Sequence, residues 1–249
     1  MSQHAKADER LLDRISAIYK LHRGVYGAPR IHDALADEGM RCGKKRVARL
    51  MREHDIRAKT VRRFKITTRS DRSSHQCVDL VCRDFQVGQP NRIWSSDITY
   101  IPTRQGWVYL AIILDLHSRR VVGWELGARL TANLLTCALH RALDTRSFAA
   151  GLILHSDRGS QYTGDQLQTI VERHGLKQSF AFSCYDNAVS ESFIHTIKTE
   201  HIQFQDFRTR DEVRPSIFDY IEVFYNRIRK HSTLGMKSPV QFEEQNLSP

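Results

Sequence analysis

From residue 91 onward, the sequence alternates apolar runs with turns and helices in an order that few folds accommodate. Three β-rich runs come first, at 91–103, 108–116 and 121–126, and only the short turns RQGW and HSRR separate them. Runs joined by such short turns predict an antiparallel three-stranded meander. The middle run, VYLAIILDL, is almost continuously apolar, which indicates a strand covered on both faces.

The remainder of this segment alternates helices with strands. We predict helices at 131–146, 164–175 and 187–203, strands at 151–157 and 177–183, and a last helix over much of 211–230. In that last helix, TRDE at 209–212 predicts a capping box, and Pro215 predicts a kink or a restart. The order βββαβαβα predicts an α/β fold around a mixed sheet. Periodicity alone does not fix the order of the strands.

The N-terminal third is predicted to be helical. Helices are expected at 8–22, 30–39 and 44–54, with breaks at GVYGAP and after Gly39. Three short helices with a basic last helix are typical of a helix-turn-helix DNA-binding module. Lys44, Lys45 and Arg46, in the first turn of the third helix, are then the predicted DNA contacts. The alternative is a three-helix packing domain with a solvated basic face.

Charge is distributed unevenly along the chain of 249 residues, whose formal net charge is +10. Residues 1–90 hold 20 Lys and Arg against 11 Asp and Glu, whereas residues 91–249 hold 18 against 17. This asymmetry predicts a polyanion-binding module attached to a near-neutral catalytic one. We therefore predict a helix-turn-helix module at 1–58, a basic linker at 59–88 and a catalytic domain at 89–249.

Other classes of protein are disfavoured by composition. No apolar run reaches the roughly 18 residues of a membrane helix, and the N-terminus lacks the apolar centre of a signal peptide. We therefore expect a cytoplasmic protein without a membrane partner. The five cysteines are odd in number and scattered, which favours ordinary thiols over a disulfide framework or a zinc site.

Three carboxylates occupy positions at which a rigid element can aim them. Asp97 lies within the first strand, in WSSDITYI, and Asp157 closes the strand LILHSD, where functional groups of α/β sheets gather. Gly159, just after it, is expected to permit an unusual backbone angle. Glu191 lies on a predicted helix, in a polar stripe with Asn187, His195 and Lys198. The alternative for Glu191 is an ordinary solvated acid.

The composition of this acidic set predicts its chemistry. Three carboxylates without histidine or cysteine suit Mg²⁺ or Mn²⁺. Two such ions would activate an attacking oxygen and stabilise a leaving oxygen during displacement at phosphorus. In a basic chain, the sequence therefore predicts a metal-dependent site that acts on nucleic acid.

The same residues carry a family resemblance that covers nearly the whole chain. The matching strings are YGAPRI, WSSDITYI, GWVYLAIILDLHSRRVVGW, HSDRGSQYT, CYDNAVSESF and YNRIRKHSTLGMKSP. In these strings the chain resembles the OrfB-type transposases of copy-out, paste-in insertion sequences (the "IS-three" family). The catalytic core of these transposases is similar to that of retroviral integrases.

The resemblance implies an RNase H-like fold and a catalytic DDE triad at Asp97, Asp157 and Glu191, with cleavage of a DNA strand by water and then transfer of its 3′-hydroxyl. We predict DNA contacts in the core at Asn187, Lys198 and Arg158. The implied partners are double-stranded DNA at element ends and target, an OrfA-type protein or fusion, and further copies of the chain on bacterial nucleoid DNA.

One departure from the family lies between the second and third acids. The family usually holds 35 residues in this gap, whereas Asp157 and Glu191 enclose 33. The contraction falls in SFAFSCYDN, before the helix that carries Glu191. Two alternatives stay open at this point: an RNase H-like nuclease that cuts without joining, and a decayed or domesticated copy that only binds DNA.

Overall fold

The computed structural model describes residues 3–59, 79–81, 87–157, 159–162, 164–181 and 187–246. The chain divides into two compact units, residues 1–65 with 229–237 and residues 66–228 with 238–249. Most of the predicted linker 59–88, the contracted turn at 182–186 and Arg158 lie outside the described residues.

The first unit contains the three predicted helices. They are α1 (Gln3–Leu21), α2 (Ala28–Asp37) and α3 (Lys44–Glu53). Pro29 lies in the first turn of α2, where a backbone N–H has no acceptor within the helix. Ile15, Ile31 and Val47, one from each helix, are completely buried, so the three apolar faces share one core.

Residues 229–237 pack with this first unit, although they lie within the predicted catalytic domain 89–249, whose bounds stay a prediction. The backbone N–H of Lys230 donates to the hydroxyl of Tyr26 at 2.9 Å. The ammonium of Lys230 forms ion pairs with Asp33 and Asp37 of α2. These contacts join residues about 200 positions apart, and no local pattern announces them.

The second unit is built on a five-stranded mixed sheet, as the sequence predicts. Its strands are β1 (Ile93–Thr103), β2 (Gly106–Asp115), β3 (Val121–Gly127), β4 (Ile153–Ser156) and β5 (Lys177–Phe180). Their order is β3-β2-β1-β4-β5. The first three strands form the antiparallel meander, and β4 and β5 add to it in parallel.

Helices of the second unit flank this sheet. They are α4 (Ala132–Thr145), α5 (Asp165–Arg173), α6 (Ala188–Glu200), α7 (Val213–Phe218) and α8 (Pro239–Asn246). Helices α4 and α5 bury an apolar cluster against one face of the sheet. Gly123 lets α4 approach β3 closely, because a Cβ there would lie 2.3 Å from the carbonyl oxygen of Ala138. Within the described residues, no helix is long and apolar enough to cross a membrane.

The C-terminal part of this unit differs from expectation. Helix α7 begins at Val213 and continues as a π-helix over Asp219–Tyr225. Pro215 lies in its first turn, where a backbone N–H has no partner within the helix, so the start of the helix accommodates the proline. The predicted capping box is wrong, since the helix begins after Glu212 and the carboxylate of Glu212 accepts the N–H of Arg208. Helix α8 was not predicted.

A buried carboxylate attaches α8 to the core of the second unit. Glu243 is 3% exposed and accepts hydrogen bonds from Arg146, Arg120 and Ser118 at 2.6–2.9 Å. Because removing the carboxylate leaves two partly buried arginines without their charged partner, we expect Glu243→Gln to lower the free energy of unfolding by roughly 3 kcal/mol. Urea denaturation measures this loss. The exposed Gln245 of the same helix provides a control, and an equal effect of Gln245→Ala would contradict the assignment.

Candidate active site

Parallel pairing of β1 with β4 brings Asp97 and Asp157 together. Ser95 pairs with His155, and the two acids lie two residues further along their chains. Because alternate residues of a strand share a face, both carboxylates leave the sheet on the side of Ser95. Strand β4 ends at Ser156, so Asp157 lies at a strand end, as predicted.

Hydrogen bonds anchor the start of α6 on this side of the sheet. The hydroxyl of Ser95 donates to the side-chain oxygen of Asn187 and lies 2.6 Å from the hydroxyl of Ser190. The amide of Asn187 donates to the carbonyl of Ser96 at 3.1 Å. Glu191 follows Ser190 directly, in the first turn of α6. The third acid is thereby attached to the strand that carries the first.

Asn187 therefore has a different role from the predicted DNA contact. Its side chain is 4% exposed, and both its oxygen and its nitrogen form hydrogen bonds with β1. Asn187 precedes the helix, so the polar stripe begins at Glu191. Phe193 and Ile197 of α6 are buried. Sequence reasoning missed Ser95 and Ser190, because small polar residues carry no local signal of a long-range contact.

Electrostatic interactions identify the three acids as neighbours. Burial raises the pKa of Asp97 to about 7, and the charges of Asp157 and Glu191 contribute to the rise. The N–H of Ile98, which donates to Asp97 at 2.7 Å, and the ammonium of Lys198 oppose it. Burial also raises the pKa of Glu191.

Gly159 provides space for Asp157 rather than an unusual backbone angle. The N–H of Gly159 donates to the Oδ1 of Asp157 at 3.0 Å. A Cβ on Gly159 would lie 3.1 Å from that oxygen and 2.6 Å from the side-chain oxygen of Gln161. The φ angle of Gly159 is not positive, so the prediction of a special backbone angle is wrong.

Tyr162 forms part of the support beneath the acids. It is 2% exposed, and its hydroxyl lies 3.2 Å from that of Ser96. Burial raises the pKa of Tyr162 well above its ordinary value, and the charges of Asp97 and Asp157 add to this effect. The hydroxyl therefore stays protonated next to the carboxylates. Its position in HSDRGSQYT was the available signal, but sequence reasoning did not single it out.

Asp115 is a fully buried acid that lies apart from this chemistry. Its carboxylate accepts the backbone N–H groups of Asn91, His117 and Ser118 at 2.6–3.0 Å. The hydroxyl of Ser118 donates to it as well, at 3.1 Å. These donors occupy the carboxylate in the turn after β2, so Asp115 has a structural role.

The remaining predicted DNA contacts differ in their exposure and in their ion pairs. Lys198 is half-buried on α6, and burial lowers the pKa of its ammonium whereas the charge of Asp97 opposes this shift. Lys44 and Lys45 are exposed at the start of α3. Arg46 donates to Asp8 of α1 at 2.6 Å, an ion pair within the first unit. Arg158 lies outside the described residues.

Comparison with known families agrees with this architecture. Residues 6–64 match the HTH-like domain, and residues 88–182 and 191–247 match two families described as Integrase core domain. A chain of the simian T-cell lymphotropic virus intasome, solved in complex with PP2A regulatory subunit B56 gamma, has a similar fold. Its TM-score is 0.54 at 16% identity, and the match covers 88% of this chain and 71% of that one.

Curated relatives resemble the chain over most of its length. Transposase InsF for insertion sequence IS3A of Escherichia coli K12 is 42% identical, across 90% of this chain and 78% of the relative. The insertion element IS600 uncharacterized 31 kDa protein of Shigella sonnei is 41% identical, across 98% and 90% respectively. An HTH-like unit, an integrase core and this level of identity lead to one conclusion: the chain belongs to the IS-three family of transposases, enzymes of DNA transposition and integration.

Proposed function

We propose that Asp97, Asp157 and Glu191 together bind divalent cations and catalyse phosphoryl transfer on DNA. The observation that carries this proposal is the convergence of the three carboxylates on one side of the sheet, where the pKa of Asp97 rises to about 7. The reaction is hydrolysis of a strand at an element end, followed by attack of the freed 3′-hydroxyl on a target phosphate. Assays of cleavage and joining on oligonucleotides, with each acid replaced in turn, test it.

The donor set fits Mg²⁺ or Mn²⁺, and we propose two ions. Carboxylate oxygens are the ligands that these ions prefer, and His155, the nearest buried histidine along the chain, is engaged with Ser179 at 2.9 Å. Such ions supply Lewis acidity to the attacking and leaving oxygens. Among the described residues, no three His, Cys, Asp or Glu side chains already have the arrangement of a metal site. We therefore propose that the three carboxylates, whose negative charges repel one another, move closer together when the cations bind.

Each acid contributes from a different element of the fold. Asp97 is held within the longest strand, Asp157 at the end of a neighbouring strand, and Glu191 on a helix fixed to the first strand. Placement on rigid elements limits the movement needed to align an attacking oxygen with a phosphorus atom. The half-buried Lys198 supplies a positive charge beside Asp97, suited to a DNA phosphate.

The substrates that we propose are double-stranded element ends and target DNA. The exposed Lys44 and Lys45, at the start of the third helix of an HTH-like unit, suit contacts with a duplex. Joining requires two ends in one complex, so we propose a multimer on DNA. An OrfA-type protein, separate or fused, is proposed to contribute further recognition of the ends.

Asn187 provides a test of how Glu191 is positioned. We expect Asn187→Ala to lower the rate of strand cleavage about 10- to 100-fold, because it frees the start of α6 from β1. Affinity for DNA should not change, since the side chain is buried. Rate measurements at saturating DNA and binding titrations separate these effects. The exposed Ser192 of the same helix is the control, and a loss of DNA affinity in Asn187→Ala would contradict the positioning role.

A further inference from the structure

Two large aromatic side chains are exposed on the hairpin formed by β1 and β2. Tyr100 of β1 is 53% exposed, and Trp107 of β2 is 49% exposed. Their rings pack edge to face with centroids 4.9 Å apart, so each ring supports the other. Because the two rings are in contact and both are about half exposed, they offer one apolar surface on which another molecule can pack.

Hydrogen bonds and an ion pair fix the turn that joins β1 to β2. Within it, the hydroxyl of Thr103 donates to the carbonyl of Gly106 at 2.6 Å. Arg104 donates its backbone N–H to the carbonyl of Phe207 at 2.9 Å and forms an ion pair with Asp206. The pair is thus presented on a rigid hairpin, which reduces the entropy lost when a ligand packs against it.

A cation links the aromatic pair to the acids. The ammonium of Lys198 lies 4.6 Å from the centroid of the Tyr100 ring, and the same ammonium interacts with the carboxylate of Asp97. An aromatic surface beside a cation has the chemistry of a site for one nucleotide of an unpaired strand, since its base stacks and its phosphate meets the charge. A base within a duplex has both faces covered by its neighbours, so it cannot stack here.

We propose that Tyr100 and Trp107 stack against an unpaired base of the DNA strand that enters the active site. The inference rests on the proposed function, because it places this base next to the phosphate that reacts. It adds a step to that function: the end of the duplex opens by at least one base pair, and the pair holds the displaced base. The two residues bind and position the strand without taking part in the chemistry.

Binding measurements without divalent metal test this proposal independently of catalysis. The probes are two DNA duplexes of identical sequence, one blunt and one with three unpaired nucleotides at its end, titrated into the full chain in EDTA. Contacts of the HTH-like unit with duplex DNA are common to both probes, so the ratio of the two affinities measures the contribution of the unpaired nucleotides alone. We expect roughly tenfold tighter binding of the unpaired end, in the range for stacking of one base. Trp107→Ala should abolish this preference, and Trp107→Phe should retain most of it.

Intrinsic fluorescence gives a second readout. Of the three tryptophans, Trp94 and Trp124 are 0% and 6% exposed, so quenching upon binding of the unpaired end should come from Trp107 and vanish in Trp107→Phe. The exposed Phe218 provides the matched control, since Phe218→Ala should preserve the preference. Equal affinities of wild type for both probes, or equal weakening of both by Trp107→Ala, would overturn the proposal. Dissociation of a multimer by Trp107→Ala with the preference intact would also overturn it, because a second copy would then cover the pair.

Failure of the stacking proposal can be distinguished from failure of the catalytic assignment. Replacement of Asp157 tests cleavage and joining, whereas the ratio of the two DNA affinities is measured in EDTA, where neither reaction takes place. A preference lost in Trp107→Ala together with wild-type activity in Asp157→Asn would retain the stacking site and reject the triad.

Discussion

Asp157→Asn is expected to abolish strand cleavage and strand joining, with a loss of at least about a thousandfold in rate. The substitution keeps the size of the side chain and its acceptor for the N–H of Gly159, but it removes one negative charge from the proposed cation site. Electrostatic stabilisation of charge at phosphorus is the largest contribution expected in such a site, so its loss should dominate. Cleavage and joining of labelled duplexes with Mg²⁺ present measure the effect.

Asp165→Asn is the matched control for this variant. Asp165 is an exposed acid in the first turn of α5, a few residues from Asp157 along the chain, and its replacement changes the net charge equally. Its activity should stay within about twofold of wild type. Both variants should bind DNA as wild type does or slightly more tightly, since each removes negative charge. Strand transfer at the wild-type rate in Asp157→Asn would contradict the assignment of the triad.

The second large effect is expected on stability in the absence of metal. Because the folded pKa of Asp97 is about 7, above its ordinary value of 3.8, the neutral form favours folding. This contribution is complete below pH 4, is lost progressively as the pH rises to 7, and stays lost above that pH. The shift of about three pH units corresponds to at most about 4 kcal/mol. Asp97→Asn should therefore be more stable than wild type at pH 8 in EDTA.

Thermal unfolding of wild type and Asp97→Asn across pH 4.5 to 8 measures this difference. The gap between the two melting temperatures should widen as the pH rises to 7 and then level off. Addition of Mg²⁺ at pH 8 should raise the melting temperature of wild type and narrow the gap, since the cation offsets the repulsion among the acids. A gap independent of pH, or equal stabilisation of both proteins by Mg²⁺, would argue against a cation site at Asp97.

Most of the fold is predictable from the sequence because its elements have strong local periodicity. The apolar run of β2 and the amphipathic pattern of α4 each determine an element without reference to the rest of the chain. Helix α8 has no such pattern, and its attachment depends on Glu243 meeting Arg146 from 97 positions away. Asn226 is a similar case, since its amide bonds to both backbone groups of Val121 at 3.0 Å. Contacts of this kind become visible only when the sheet order is known.

The candidate site divides in the same way. The three acids were predicted from a strand interior, a strand end and a helix stripe, and from a family resemblance that the comparisons confirm. Their supports were not predicted, because Ser95, Ser190 and Asn187 meet only through the pairing of α6 with β1. The exposure of Tyr100 and Trp107 was not predicted either, since apolar residues of a strand are expected to be buried.

Joining of a pre-cut DNA end to a target duplex tests the central claim most directly. The donor carries a free 3′-hydroxyl at the element end, so the assay isolates the transfer step and requires no prior cleavage. The account predicts joined product with wild type in Mg²⁺ and none in EDTA or with Asp97→Asn, Asp157→Asn or Glu191→Gln. Joined product at the wild-type level from any one of these three variants, or the absence of joined product with wild type in Mg²⁺, would contradict it.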